Sequence, residues 1–231
     1  MLSHDNLVFN STSLSTDMIN DMPSDEMIKI EDIKIVSYLP LSHIAGLVFD
    51  VIANVLYGSQ LYFAKPDALQ GTLVETLTWC RPTLFLAVPR VWEKFEEKLK
   101  EVAKTKPAIL QSISNWAKGY GYDKVINQQN GKDPSWMYGF ANFMILKRIK
   151  QVIGLDQAVM FFYGAAPLKQ SSVDYFASLD IPLLNMYGLS ETTGSTTLGT
   201  LTRFSLAHAG KEMSGGKIRI ADPDEKGHGE I

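Results

Sequence analysis

The sequence predicts an α/β protein: a largely parallel sheet flanked by helices, with a β-rich C-terminal tail. Two observations carry that prediction. Short apolar runs alternate with longer segments of helical periodicity, the pattern of strands joined by crossover helices. Most of the apolar runs then stop at a proline or glycine, where small or polar residues collect. The 231 residues are 45% hydrophobic and 20% charged, enough for a substantial core in one domain or two small ones.

In chain order, residues 1–10 suit a helix that begins without a visible cap. Residues 11–31 mix Ser, Thr, Asp and Met with Pro23 and read as an irregular surface connection. Residues 33–39 form a strand closed by Pro40. Ser42 suits a helix cap ahead of an apolar helix over 44–56, which Gly58 ends. A strand over 60–64 and a helix over 68–79 follow. Residues 83–88 are a buried strand stopped by Pro89. Val91, Trp92, Phe95, Leu99 and Val102 then recur at helical spacing, with Glu and Lys opposite.

Residues 107–153 hold two or three further helices around a polar connection at 127–134. A strand over 158–163, a helix over 171–179 and a strand over 183–187 complete the alternating part. From residue 206 the pattern changes to strand and turn. Lys217 to Ile220 alternate as a half-exposed strand does, and 229–231 look like the opening of another.

Charge and cysteine usage exclude several classes. The net charge is -3 with no basic block singled out, so a nucleic-acid partner has little electrostatic support. The lone Cys80 rules out an internal disulfide or a cysteine-rich metal site, and its apolar neighbours make it a packed small residue. The first residues lack a basic segment and apolar core, so no secretory signal is visible. The charge-poor region 35–64 is interrupted by Pro40, His43 and Asp50, short of the roughly 20 apolar residues that span a bilayer. A cytoplasmic protein, with peripheral membrane contact left open, is expected.

In parallel α/β sheets ligands bind beyond the carboxyl ends of strands, and three such ends stand out. Leu39-Pro40-Leu41-Ser42-His43-Ile44-Ala45-Gly46 offers His43, either a site residue or a packed core histidine. Tyr163-Gly164-Ala165-Ala166-Pro167-Leu168 offers Gly164, Ala165 and Ala166, either a flat surface for a ring or a strand-to-helix turn with Pro167 at the helix start. The segment over 183–194 ends in Tyr187-Gly188-Leu189-Ser190-Glu191-Thr192. There Glu191, among hydroxyls, is either a Mg²⁺ contact or a solvated loop carboxylate. Gly188 to Thr192 nearly matches the esterase nucleophile elbow, but lacks its last glycine and a following helix start. The Asp222 to Gly227 stretch reads as a surface turn, since Pro223 and Lys226 replace what a calcium loop requires.

These three stretches, in this order, resemble the AMP-forming adenylating family: acyl-CoA synthetases, firefly luciferase and peptide-synthetase adenylation domains. Ala209 to Gly215 resembles the turn that follows in that family. Met1-Leu2-Ser3-His4-Asp5-Asn6 and Val36 to Ala45 are most similar to long-chain and bubblegum-type fatty acyl-CoA synthetases. The resemblance implies that residues 1–231 are a partial AMP-binding domain, an incomplete N-terminal adenylation domain, with 206–231 the truncated start of a β-rich subdomain. It implies that Gly164, Ala165 and Ala166 line adenine, with Tyr187 and Gly188 against it. Ser190 and Thr192 would meet phosphate, Glu191 would hold Mg²⁺, and His43 and Gly46 would sit near the carboxylate and acyl tunnel, with Ser190, Glu191 and His43 nearest the chemistry. Implied substrates and cofactors are a fatty acid, ATP, Mg²⁺ and CoA, at a cytoplasmic or endoplasmic-reticulum-like membrane surface.

The family's Ser/Thr/Gly-rich phosphate loop would precede Met1, and its ribose-binding aspartate, hinge and C-terminal domain would follow Ile231. On that resemblance the chain is expected to be an internal fragment, inactive alone and prone to aggregate. The alternatives are a truncated isoform or a non-catalytic nucleotide or acyl binder.

Overall fold

The computed structural model describes residues 2–22 and 29–231. Its strands are β1 (Lys34–Ser37), β2 (Gln60–Phe63), β3 (Leu84–Ala87), β4 (Met160–Gly164), β5 (Leu183–Leu189), β6 (Gly194–Leu198) and β7 (Lys211–Glu212). They form one sheet in the order β2-β1-β3-β4-β5-β6-β7. Strands β2 to β5 pair in parallel, while β6 and β7 add antiparallel. The chain is therefore α/β, with a mostly parallel mixed sheet.

The helices are α1 (His4–Asn20), α2 (Ala53–Tyr57), α3 (Leu73–Cys80), α4 (Pro89–Lys104), α5 (Ala108–Gln129), α6 (Trp136–Ala141), α7 (Lys147–Val152) and α8 (Gln170–Ser178). Single π-helical segments, Gly46–Ile52 and Asn142–Leu146, run directly into α2 and α7.

Successive residues of β3 and β4 are buried, so both sheet faces are covered. This explains why Leu84 to Ala87 and Met160 to Tyr163 read as unbroken apolar runs. At the centre lies Trp92 of α4, fully buried, its Nε1–H donating to the Phe162 carbonyl at 3.1 Å. Phe85, Phe95, Phe161 and Phe176 ring it. Pro89 occupies the first turn of α4, where its missing N–H costs nothing. Cys80 is buried, and burial pushes its thiol up to about 11, as expected of a packing residue.

Several expectations fail. The first helix extends to Asn20, so 11–20 is not irregular; the other half of that expectation falls partly on residues 23–28, outside the described residues. It also has a cap: the Ser3 hydroxyl accepts from the Asn6 N–H, and Asn6 returns the bond to the Ser3 backbone. The face of α1 that is buried carries Asn10, Ser11, Ser13 and Asp17 beside Leu14 and Met18, so no apolar period marks it. Ser42 does not cap the next helix. His43 does, its Nδ1 accepting from the Ala45 N–H at 3.2 Å.

Helix α5 runs on to Gln129, shortening the polar connection expected at 127–134. After β4 the helix opens at Gln170, three residues beyond Pro167, so Pro167 does not start it. Lys217 to Ile220 form no strand. Lys211–Glu212 pairs with β6 instead, and Ala221 bridges Glu230 near the chain end.

Candidate functional site

Strand order reverses between β1 and β3, because β2 lies on one side of β1 and every later strand on the other. Such a switch point opens a crevice at the carboxyl ends of the strands. A cleft lies there. Leu39, His43 and Val48 line one side, and Leu86, Val88, Gly164, Ala165, Met186 and Gly188 the other. Its walls are mainly aliphatic and aromatic, with His43 exposed at the mouth. His43 is therefore not a packed core histidine. Because Nδ1 accepts from the Ala45 N–H, the neutral ring carries its proton on Nε2, a donor for an incoming anion.

Gly164 and Gly188 are glycines because neighbouring backbone comes too close for a side chain. A Cβ on Gly164 would lie 2.6 Å from the Met186 carbonyl oxygen, and one on Gly188 only 1.7 Å from that of Gly194. Ala165 adopts φ 68°, a left-handed conformation uncommon outside glycine. It turns the chain away from β4 and leaves Ala165, Ala166 and Pro167 exposed as a flat, side-chain-poor ledge.

Strand β5 passes through a four-residue turn, Ser190 to Thr193, straight into β6. The nucleophile-elbow geometry is absent, since no helix follows Ser190. Thr192 builds the turn: its hydroxyl accepts from the Leu189 N–H at 3.0 Å and donates toward the Leu189 and Gly194 carbonyls. Thr193 is buried at φ 67°. The side chains of Ser190 and Glu191 are exposed, and neither makes a hydrogen bond or ion pair among the described residues, although the Ser190 carbonyl accepts from the Thr193 N–H at 3.2 Å.

The hairpin divides the residues singled out from sequence into two neighbouring sites. His43, Gly164, Ala165 and Gly188 share the switch-point cleft, while Glu191 and Thr192 face a second cleft against α1, lined by Asn6, Phe9, Asn10 and Ser13. Ser195 borders both. Tyr187 lies between Met186 and Gly188, so its side chain takes the opposite face of β5 and does not line the first cleft. Ala166 and Gly46 do not line it either. A Cβ on buried Gly46 would meet the Pro40 carbonyl oxygen at 2.8 Å, so this glycine packs the His43 turn onto its helix.

Helix α1 fastens the hairpin in place. Asn10 Nδ2 donates to the Ser195 carbonyl at 2.8 Å, and Asp17 accepts from the backbone N–H of Ser214 at 2.8 Å and from its hydroxyl. Asp21 accepts from Thr200 at 3.0 Å and pairs with Arg203. None of these partners was singled out from sequence, because each is a polar residue in a segment without periodicity.

Asp50 was also missed. It is 3% exposed in the π-helical segment behind the first cleft, bonded by the Ser37 hydroxyl, with Oδ2 unpartnered. Burial pushes its carboxyl up to about 6. The Tyr38 hydroxyl beside it donates to the Leu86 carbonyl at 3.1 Å, and burial and the Asp50 charge push that phenol upward. The signal was available: Asp50 is the one charged residue in the run 44–56. A π-helical turn also often marks a working site.

The described residues contain no group of three His, Cys, Asp or Glu able to hold a metal. Mg²⁺ is commonly held by one or two carboxylates together with substrate phosphates, and an exposed, unpaired Glu191 fits that arrangement rather than an all-protein cage.

Comparison with known proteins places the chain in a family. The family model described as "AMP-binding enzyme" matches residues 1–231. A long-chain-fatty-acid–CoA ligase of Gallus gallus, ACSBG2, is 41% identical over 100% of this chain, which spans 30% of that relative's length. Among solved structures, an ATP-bound RpMatB-BxBclM chimera matches 97% of this chain and 33% of its own with a TM-score of 0.58 at 19% identity. The o-succinylbenzoate–CoA synthetase of Bacillus subtilis, in complex with ATP and magnesium ion, matches 98% of this chain and 34% of its own with a TM-score of 0.56 at 14% identity. At those identities the two structures speak to the fold.

Proposed function

Because the chain belongs to the AMP-binding enzyme family, we propose that the protein bearing it is a long-chain fatty acid–CoA ligase. A fatty carboxylate oxygen attacks the α-phosphorus of ATP and pyrophosphate leaves. The CoA thiolate then attacks the acyl carbonyl carbon of the adenylate, and AMP leaves with the bonding pair. The observation that carries this reading is the convergence of three strand ends. An apolar cleft with His43 at its mouth adjoins the small-residue ledge at Gly164, and Ser195 joins it to the second cleft that Glu191 lines.

In this reading the acyl chain occupies the aliphatic cleft, and His43 Nε2–H meets the carboxylate, with Gly46 keeping its turn in place. Adenine lies on the ledge of Gly164, Ala165 and Ala166 with Gly188 beside it, while Tyr187 packs from the opposite face of β5. Ser190 donates to phosphate, while Thr192 acts by holding the turn. Glu191 takes Mg²⁺, which would neutralise phosphate charge when bound. The rest of the catalysis is positioning and charge stabilisation. Residues 1–231 are then part of one adenylating domain whose β-rich unit opens at 206–231; the Ala221–Glu230 bridge supports this. The working place is the cytoplasm, at a membrane surface where fatty acids partition; no helix of the described residues is long and apolar enough to cross a bilayer.

The test is fatty-acid-dependent formation of AMP from ATP by the longest natural chain that carries these residues, with and without Glu191→Ala. Wild type is expected to form AMP only when a fatty acid is present. The variant should lose about two orders of magnitude in kcat/KM for ATP with Mg²⁺, while fatty-acid binding persists. Fatty-acid-independent turnover, or an unimpaired variant, would remove the assignment.

A further inference from the structure

We propose that the helical unit formed by α5, α6 and α7 is a docking surface for anionic lipid headgroups. This rests on the reading above only in that long-chain fatty acids reside in bilayers. Counted with the end of α4 and the connection that lead into it, this unit (residues 104–152) holds eight Lys or Arg and two Asp, a balance of +6, in a chain whose net charge is -3. The other residues therefore carry -9 in total.

Part of that charge is turned inward. Lys124 and Lys150 pair with buried Asp180 at 3.0 and 2.7 Å, and Lys118 lies over the Tyr175 ring. Lys104, Lys106, Lys132, Lys147 and Arg148 remain exposed and have no ion pair among the described residues.

The same unit exposes large apolar side chains. Trp136 is 85% exposed, Ile109 74%, Phe143 70% and Phe140 55%. They are not scattered. Ile109, Ile113 and Trp116 recur at helical spacing along α5, and Trp136 and Phe140 are one turn apart on α6. The Trp116 ring meets that of Phe140 at 6.0 Å, joining the two stripes.

Isolated exposed apolar residues are ordinary, but a joined aromatic patch rimmed by lysines has the composition of an interfacial membrane anchor. Trp and Phe sit at headgroup depth and long basic side chains reach the phosphates. A second exposed apolar group, Val55, Phe63 and Trp79, differs in kind. It flanks the edge strand β2, whose unpaired backbone groups favour another strand over lipid.

The experiment is co-sedimentation of the purified chain, without ATP or CoA, with vesicles of phosphatidylcholine alone or mixed with phosphatidylserine. Partition into the anionic vesicles is expected, weakening as salt rises. The combined Trp136→Ala, Phe140→Ala and Phe143→Ala variant and the combined Lys147→Glu and Arg148→Glu variant should each weaken it at least tenfold, roughly. Their thermal unfolding should be unchanged, because the altered side chains are exposed, and Phe63→Ala should bind like wild type. Equal binding to neutral vesicles, no binding, or an unaffected folded variant would overturn the proposal. So would a lipid-free dimer that the aromatic variant converts to monomer, which would make the patch an interface between copies. Because no nucleotide is present, the outcome is independent of the ligase assay.

Discussion

Gly188→Ala is expected to destabilise the fold by roughly 3 kcal/mol and to detach the Ser190–Glu191 turn from the sheet. The reason is distance. The added methyl would sit 1.7 Å from the Gly194 carbonyl oxygen and 2.8 Å from the Ser195 Cα, both backbone atoms of the partner strand. Neither can rotate away, so β5 and β6 must part at the bulge that already shifts their register between Tyr187 and Gly188. Denaturant unfolding checks the prediction, with Gly119→Ala as the contrast. Gly119 lies within α5 with nothing near its missing Cβ, so alanine there should stabilise by about 1 kcal/mol. A Gly188→Ala chain as stable as wild type would mean that the hairpin is not packed as described.

Asp50→Asn is expected to stabilise the protein, and to do so only above the pH at which the unfolded aspartate ionises. In the folded chain its carboxyl titrates at about 6, against an ordinary 3.8. Below the ordinary value both states hold the proton and the substitution is nearly neutral. As pH rises from 3.8 to about 6 the unfolded carboxyl ionises while the folded one, with one oxygen unpartnered, is held protonated by burial, and stability is lost across that window. The gain from asparagine should thus grow from near zero at about pH 3 to roughly 3 kcal/mol at about pH 8, most of it present by about pH 6. Unfolding curves at the two pH values decide it; a pH-independent difference would assign the effect to packing. A destabilising charge kept behind the switch-point cleft is the kind of local cost that working sites carry.

What was legible in the sequence follows from which periodicities burial imposes. Helix α4 is readable because Val91, Trp92 and Phe95 face the core while charged residues face water, and β3 and β4 because both faces are buried. Helix α1 was half lost because it meets the hairpin through Asn10, Ser13 and Asp17 rather than through an apolar stripe. Strand β6, Gly194-Ser195-Thr196-Thr197-Leu198, is mostly polar and half-buried, so hydrophobic alternation could not reveal it. Lys217 to Ile220 alternates without a partner strand, which shows that pattern alone does not make a ladder.

The site was legible as three motifs, and their meeting place followed from the parallel sheet. Their division was not. That Tyr187 and Gly188 face opposite ways was available from the strand period, whereas the hairpin that separates Glu191 from His43 depended on the unread β6.

The central claim is that a nucleotide binds where these strand ends converge. Photolabelling with an 8-azidoadenine analogue of ATP, followed by peptide mapping, tests it most directly. The account predicts label on peptides containing Gly164 to Leu168 and Tyr187 to Thr192, suppressed by unlabelled ATP. Label confined to the opposite end of the sheet, around Lys124, Asp180 and Pro182, or label that ATP does not suppress, would contradict it.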